Sequence, residues 1–107
     1  MVLKFRPLNK VSSVMQHVGF EPGYAYDDLV FSDNAVFLIQ FHSRDDTRLI
    51  LYFNEDCNKN IAMQLESGLK EAAHKEGFSI EMKGIFSLSQ QQGGEDINIK
   101  FVETVES

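Results

Sequence analysis

The spacing of apolar residues predicts two helices of different length. Apolar residues recur at helical spacing over 8–18, and Gly19 follows as a helix stop. A longer helical pattern covers about 55–76, with Asn54 as its N-cap and Gly77 at its end. The apolar stripe of this long helix consists of Ile61, Leu65, Gly68, Leu69, Ala72 and Ala73.

The alternation of apolar and polar residues along the remaining segments predicts five strands. Three of them, at 28–32, 35–42 and 48–53, come before the long helix. The middle one is apolar at odd and even positions, which is typical of an inner strand covered on both faces. The other two, at 78–88 and 97–101, alternate more strictly and predict a hairpin.

The order of elements is therefore α-β-β-β-α-β-β, which predicts an α+β fold. We expect a single mixed or antiparallel sheet of about five strands, with one long central helix packed on it. If the strand ending at Phe53 and the strand starting at Phe78 are neighbours, the helix between them makes these strands parallel. The segment 20–27 predicts a loop, and 2–6 a short edge strand. A chain of 107 residues has the size of one domain, 1–107.

The two faces of the predicted sheet differ in character. A core face under the long helix is formed by the even-numbered apolar positions of 78–88 and by six odd-numbered residues of the second and third strands. These six are Phe37, Ile39, Phe41, Leu49, Leu51 and Phe53. The opposite face is polar in the late strands and apolar in the early ones. Its apolar positions are Val30, Val36, Leu38, Ile50 and Tyr52. Either the first helix or a second copy of the chain must cover such a patch, or the patch itself forms a ligand groove.

Three aromatic residues next to Pro22 and Gly23 add a second candidate surface. Phe20, Tyr24 and Tyr26 are of the types that dominate interface hot spots. The alternative is that they fold back on the edge of the core. The candidate partner- or ligand-binding residues are thus Phe20, Tyr24, Tyr26, Val36, Leu38, Ile50 and Tyr52.

Charge and cysteine content narrow the classes of partner. The chain has 10 basic and 16 acidic residues and a formal charge of -6, which disfavours nucleic acid and anionic membrane surfaces as partners. A single cysteine forms no intramolecular disulfide, so a reducing compartment, the cytoplasm, is expected. We find no apolar run of membrane-spanning length.

Catalytic and cofactor motifs are absent from the sequence, so we expect no cofactor and no bound metal, and the sequence favours a non-enzymatic role over an enzymatic one without deciding between them. Cys57 is expected in the first turn of the long helix, where the helix dipole favours a thiolate and the adjacent Glu55 and Asp56 oppose it. The loop 42–48 gathers two arginines with two aspartates, and these side chains are expected to pair with each other. Carboxylates at the other end of the strands are expected to be solvated.

The sequence predicts a non-enzymatic binding or assembly module that forms a homodimer and has a possible protein partner. The alternative is a small-molecule site, enzymatic or not, in a pocket between the first helix and the sheet, with His17, Tyr52 or Cys57 as its polar groups. A third hypothesis is an inhibitor whose acidic surface mimics nucleic acid.

Overall fold

The protein folds as a two-helix α+β domain, as predicted. A computed structural model describes residues 8–26, 28–42, 44–45, 47–90 and 97–103. The elements in chain order are α1 (Leu8–His17), β1 (Pro22–Tyr26), β2 (Leu29–Ser32), a 3-10 turn (Asp33–Ala35), β3 (Phe37–Phe41), β4 (Arg48–Asn54), α2 (Lys59–Lys75), β5 (Ser79–Gln90) and β6 (Ile97–Glu103).

All the described strands belong to one mixed sheet, and their order in space follows their order in the chain. Every neighbouring pair is antiparallel except β4 and β5. Those two are parallel because α2 carries the chain back to the starting end of the sheet. The condition stated above is therefore met: the strand that ends after Phe53 and the strand that begins after Phe78 are neighbours, and they are parallel.

The prediction of a loop over 20–27 is wrong, because Pro22–Tyr26 forms the edge strand β1. Proline is tolerated at the start of an edge strand, where its missing N–H leaves no ladder bond unmade. At Gly23, a Cβ would lie 3.0 Å from the Cα of Asp33 and 3.0 Å from the carbonyl oxygen of Ser32. Proline and glycine thus fit a strand that closely approaches a neighbouring backbone. The predicted strand at 2–6 lies outside the described residues.

Both helices end at the predicted glycines. Gly19 and Gly77 adopt left-handed φ angles of 87° and 88°. After each glycine the next residue returns a backbone hydrogen bond to the last helical turn: Phe20 N donates to Met15 O, and Phe78 N donates to Ala73 O. This is the Schellman arrangement, in which glycine avoids the steric cost of the left-handed conformation.

The start of α2 differs from the prediction. Asn58, not Asn54, is the N-cap, and its side chain accepts hydrogen bonds from the N–H groups of Asn60 and Ile61. Cys57 therefore precedes the helix and does not lie in its first turn. Asn54 instead ends β4, where its side chain donates to the carbonyl oxygen of Ala35 at 3.0 Å.

Both helices cover the same face of the sheet and form the main core with it. The fully buried residues Val11, Val14 and Met15 of α1 pack in the same cluster as Leu69 of α2. The sheet contributes the six predicted residues Phe37, Ile39, Phe41, Leu49, Leu51 and Phe53.

The predicted apolar stripe of α2 is only partly correct. Leu65, Leu69, Ala72 and Ala73 are buried, but Ile61 is 51% exposed. Ile61 is the third residue of α2 and lies in its first turn. The stripe therefore packs from Leu65 onward.

A β-bulge in β5 changes which face its later residues occupy. Leu51 pairs with Met82 and Tyr52 with Gly84, so Lys83 is an extra residue on β5. One inserted residue moves every later side chain to the other face of the sheet. Phe86, which alternation predicts beneath the long helix, consequently lies on the opposite face.

That opposite face carries a second core, formed by Leu29, Phe31, Leu38, Tyr52 and Phe86. The ring centroids of Phe31 and Phe86 lie 5.7 Å apart, although β3 and β4 separate their strands. Three strand spacings would place these strands about 14 Å apart in a flat sheet. The two rings therefore lean toward each other over the intervening strands, and Leu38 and Phe86 are both 0% exposed.

Candidate functional site

The five early-strand residues predicted to form an exposed apolar patch do not form one. Leu38 and Tyr52 are buried in the second core, and Ile50 is half-buried against it. Val30 and Val36 lie on the other side of the sheet and pack in the main core. The first helix is not the cover of the predicted patch, because it packs with α2 on the helix side. This correction removes the predicted groove.

The aromatic segment is divided between the core and the edge strand. Phe20 follows α1 and packs edge-on against Phe37, with ring centroids 5.2 Å apart. It folds back on the core, which is the alternative stated for it above. The backbones of Tyr24 and Tyr26 belong to β1 and pair with Phe31 and Leu29. Their side chains lie outside the part of the chain that the structure describes.

An apolar surface that alternation did not predict lies on the hairpin of β5 and β6. Leu88 pairs with Ile99, and Phe86 pairs with Phe101, so all four side chains share the face of the second core. Leu88 and Phe101 are each 39% exposed, and Ile99 is half-buried. We call Leu88, Ile99 and Phe101 the hairpin patch. Sequence reasoning missed it because the bulge at Lys83 is invisible in the alternation.

Tyr52 joins the hairpin patch to the second core. Its ring centroid lies 4.6 Å from that of Phe101, two strands away. Burial, and to a smaller extent the nearby carboxylate of Glu103, raise the pKa of the Tyr52 hydroxyl above its ordinary value of 10.0. Both effects disfavour the tyrosinate anion.

The raised pKa predicts a loss of stability at alkaline pH that Tyr52→Phe should reduce. The folded protein holds the phenolic proton more tightly than the unfolded chain does. The stabilisation is therefore complete below the ordinary tyrosine pKa of about 10 and is lost as pH rises through the folded value. Urea unfolding from neutral pH to above pH 10 should show a shallower alkaline decline for Tyr52→Phe than for the unmodified chain. Equal declines would contradict the burial of this hydroxyl.

The hairpin extends beyond the rest of the sheet. Asn54, the last residue of β4, pairs with Phe86. From Ser87 to Gln90, β5 pairs with β6 alone among the described strands. A two-stranded ribbon without further cover is only marginally stable in water. The part of the hairpin patch at Leu88 and Ile99 therefore lies on the least supported part of the sheet.

The two edges of the described sheet differ in their capacity to accept another strand. β1 begins with Pro22, and its pairing with β2 is irregular between Pro22 and Tyr24. Both features discourage strand addition. β6 pairs with β5 in an unbroken register over seven residue pairs. Its outer edge has no neighbour among the described strands.

The polar groups considered for a small-molecule site do not meet. Tyr52 belongs to the second core, whereas the partly buried Cys57 packs against the main core on the other side of the sheet. Burial raises the pKa of the Cys57 thiol, which opposes thiolate formation. His17 ends α1 and is exposed. Tyr52 and Cys57 therefore do not line one pocket.

In the charged loop between β3 and β4, Asp45 pairs with groups of the same loop. Asp45 accepts hydrogen bonds from the hydroxyl of Thr47 at 2.6 Å and from its backbone N–H at 2.9 Å. These bonds, followed by smaller contributions from Arg48 and His42, lower the pKa of Asp45. Arg48 lies 3.9 Å from the same carboxylate, as the predicted self-pairing requires. Asp46 lies outside the described residues.

The described residues include no group of three or more His, Cys, Asp or Glu side chains arranged to hold a metal ion. Glu95 and Asp96, two carboxylates that precede β6, lie outside these residues. Within the same part of the chain, no helix is long and apolar enough to cross a membrane. Comparison of the chain with protein-family models, with curated proteins and with solved structures gives no match.

Proposed function

We propose that the protein is a non-enzymatic binding or assembly module that associates through the hairpin patch. The observation that carries this proposal is the exposure of Leu88, on the overhanging part of β5, and of Phe101, on the edge strand β6, each 39% exposed. Exposed apolar residues that lie together mark interaction sites more often than residues scattered singly. Aromatic residues are also the type that most often anchors interfaces.

The distribution of charge supports the same surface. The chain carries 16 acidic residues, but segments 82–90 and 97–102 of the hairpin contain none. Burying a carboxylate in an interface costs free energy unless a partner neutralises it. These two segments therefore offer apolar area without this cost. The overall charge of -6 supports a protein partner over a nucleic acid, and the single Cys57 is compatible with a cytoplasmic location.

A pocket between α1 and the sheet has less support. Val11, Val14 and Met15 of α1 are fully buried in the main core, so apolar side chains occupy the space that a ligand would need. The proposed association surface lies on the other side of the sheet, which these residues do not reach.

A photo-crosslinking amino acid at position 101 tests the association surface. In cells of the native host, we expect position 101 to form a crosslink to a protein, and Leu88→Asp to abolish it. Position 63 is the matched control, because Met63 is an apolar residue 68% exposed on α2. Crosslinking of position 101 no stronger than that of position 63 would overturn the proposal.

A further inference from the structure

We infer that the partner at the hairpin is a second copy of this chain, which adds its β6 antiparallel to the first β6. This inference rests on the proposed function and names the occupant of the same surface. Two copies related by a two-fold axis perpendicular to the sheet bring identical edges together in antiparallel orientation. The result is a continuous twelve-stranded sheet in which the outer backbone groups of both β6 strands are paired.

The first reason is that self-association brings like surfaces together. Each copy carries a formal charge of -6, so two copies repel each other over most of their surface. Segments 82–90 and 97–102 contain two lysines, Lys83 and Lys100, and no acidic residue. Apart from Glu103, the last residue of β6, these two segments thus let two acidic chains meet without opposing carboxylates.

The second reason is the order of charges along β6. Lys100 and Glu103 have opposite signs. A parallel, in-register pairing would place Lys100 on Lys100 and Glu103 on Glu103, which is unfavourable. With an axis at Phe101, antiparallel pairing instead places Lys100 opposite Val102 and Glu103 opposite Ile99 of the second copy, so neither charge lies directly opposite its own kind. An axis near Phe101 also brings its exposed ring to the ring of the second copy.

The third reason is that apolar side chains are exposed on both faces of this edge. Phe101 faces the side of the second core, and Val102, which is 44% exposed, lies opposite Ile85 on the helix side. A partner strand beside β6 covers both side chains at once, whereas a partner lying on one face covers only one of them.

Sedimentation of the full chain at micromolar concentration tests the inference. We expect a species of twice the 12.2 kDa chain mass. Leu88→Asp combined with Phe101→Asp should weaken self-association roughly a hundredfold, because carboxylates then face each other across the axis. Ile61→Asp combined with Met63→Asp adds the same charge to exposed apolar positions of α2 and should leave the dimer intact.

Hydrogen exchange of the unmodified chain provides a readout that does not depend on the folding of any variant. We expect amides of β6 to exchange more slowly as concentration rises, while amides on the opposite edge, β1, do not change. A dimer without this protection would overturn the edge pairing. A monomer whose position 101 still crosslinks to a different protein would overturn the second copy and leave the proposed function intact. A monomer without any crosslink would overturn both.

Discussion

Replacing Phe86 by alanine is expected to lower the free energy of unfolding by about 3–5 kcal/mol, the range for removal of a fully buried phenylalanine. Phe86 is 0% exposed, and its ring packs edge-on against Phe31. The cost has two parts: the substitution removes the favourable free energy of burying the ring, and it leaves a cavity between four strands. Equilibrium unfolding in urea, followed by far-UV circular dichroism, measures the change.

Leu88→Ala is the matched control, because Leu88 lies on the same strand and the same face but is 39% exposed. Its substitution should cost about 1 kcal/mol or less. Phe86→Ala should also couple to Phe31→Leu by about 0.5–1.5 kcal/mol in a double-mutant cycle and show no coupling to Leu69→Ala. Equal losses of stability at positions 86 and 88, or coupling between Phe86 and Leu69, would indicate that Phe86 lies on the helix side of the sheet. Either result would contradict the second core.

Local signals were sufficient to predict the two helices and their C-terminal ends. The 3.6-residue periodicity depends on which side of a helix meets the core, and glycine is favoured wherever a helix ends in the left-handed conformation. Gly19 and Gly77 both adopt that conformation. The N-cap of α2 was harder to predict, because Asn54 and Asn58 are both suitable cap residues. Only the sheet decides between them, since it holds Asn54 at the end of β4 through Ala35.

The faces of the sheet depend on contacts that the sequence does not display. The bulge residue Lys83 looks like one more polar position in a regular alternation, yet it reverses the orientation of everything after it. The edge strand β1 was missed for a related reason. Pro22 and Gly23 are turn-forming residues by composition, but the approach of the Asp33 backbone determines that Gly23 lies in a strand.

The bulge explains why the candidate site moved. Without the bulge, the late strands would show a polar outer face, and the apolar residues of the early strands would be the ones in need of a cover. With it, Phe86 contacts Phe31 and closes the second core over Leu38. The apolar surface left exposed is then displaced by two strands, to Leu88 and Phe101. An apolar association surface remains a proposal, but its residues on β5 are ones that the alternation of apolar and polar residues places beneath the long helix.

Replacing Ser32 by alanine is expected to cost about 2–3 kcal/mol, which is large for the loss of one oxygen atom. Ser32 is buried, and its hydroxyl oxygen accepts hydrogen bonds from the N–H groups of Val36 at 3.1 Å and Phe37 at 3.2 Å. Alanine leaves both donors without this acceptor, and a buried unsatisfied donor costs about 1–3 kcal/mol. The same hydroxyl donates to the carbonyl oxygen of Asp33 at 3.3 Å, so the substitution also frees that acceptor.

The turn that this hydroxyl holds is itself strained, which increases the expected effect. Asn34 and Ala35 have φ angles of 61° and 50°, in the left-handed region that disfavours side chains with a Cβ. Ser79→Ala is the matched control, because Ser79 is exposed on β5 and should change stability by less than about 0.5 kcal/mol. Urea unfolding measures both variants. If Ser32→Ala costs no more than Ser79→Ala, the Ser32 hydroxyl does not hold the turn. The hydrogen bond that the Asn54 side-chain amide donates to the carbonyl oxygen of Ala35 would then be what stabilises the strained residues.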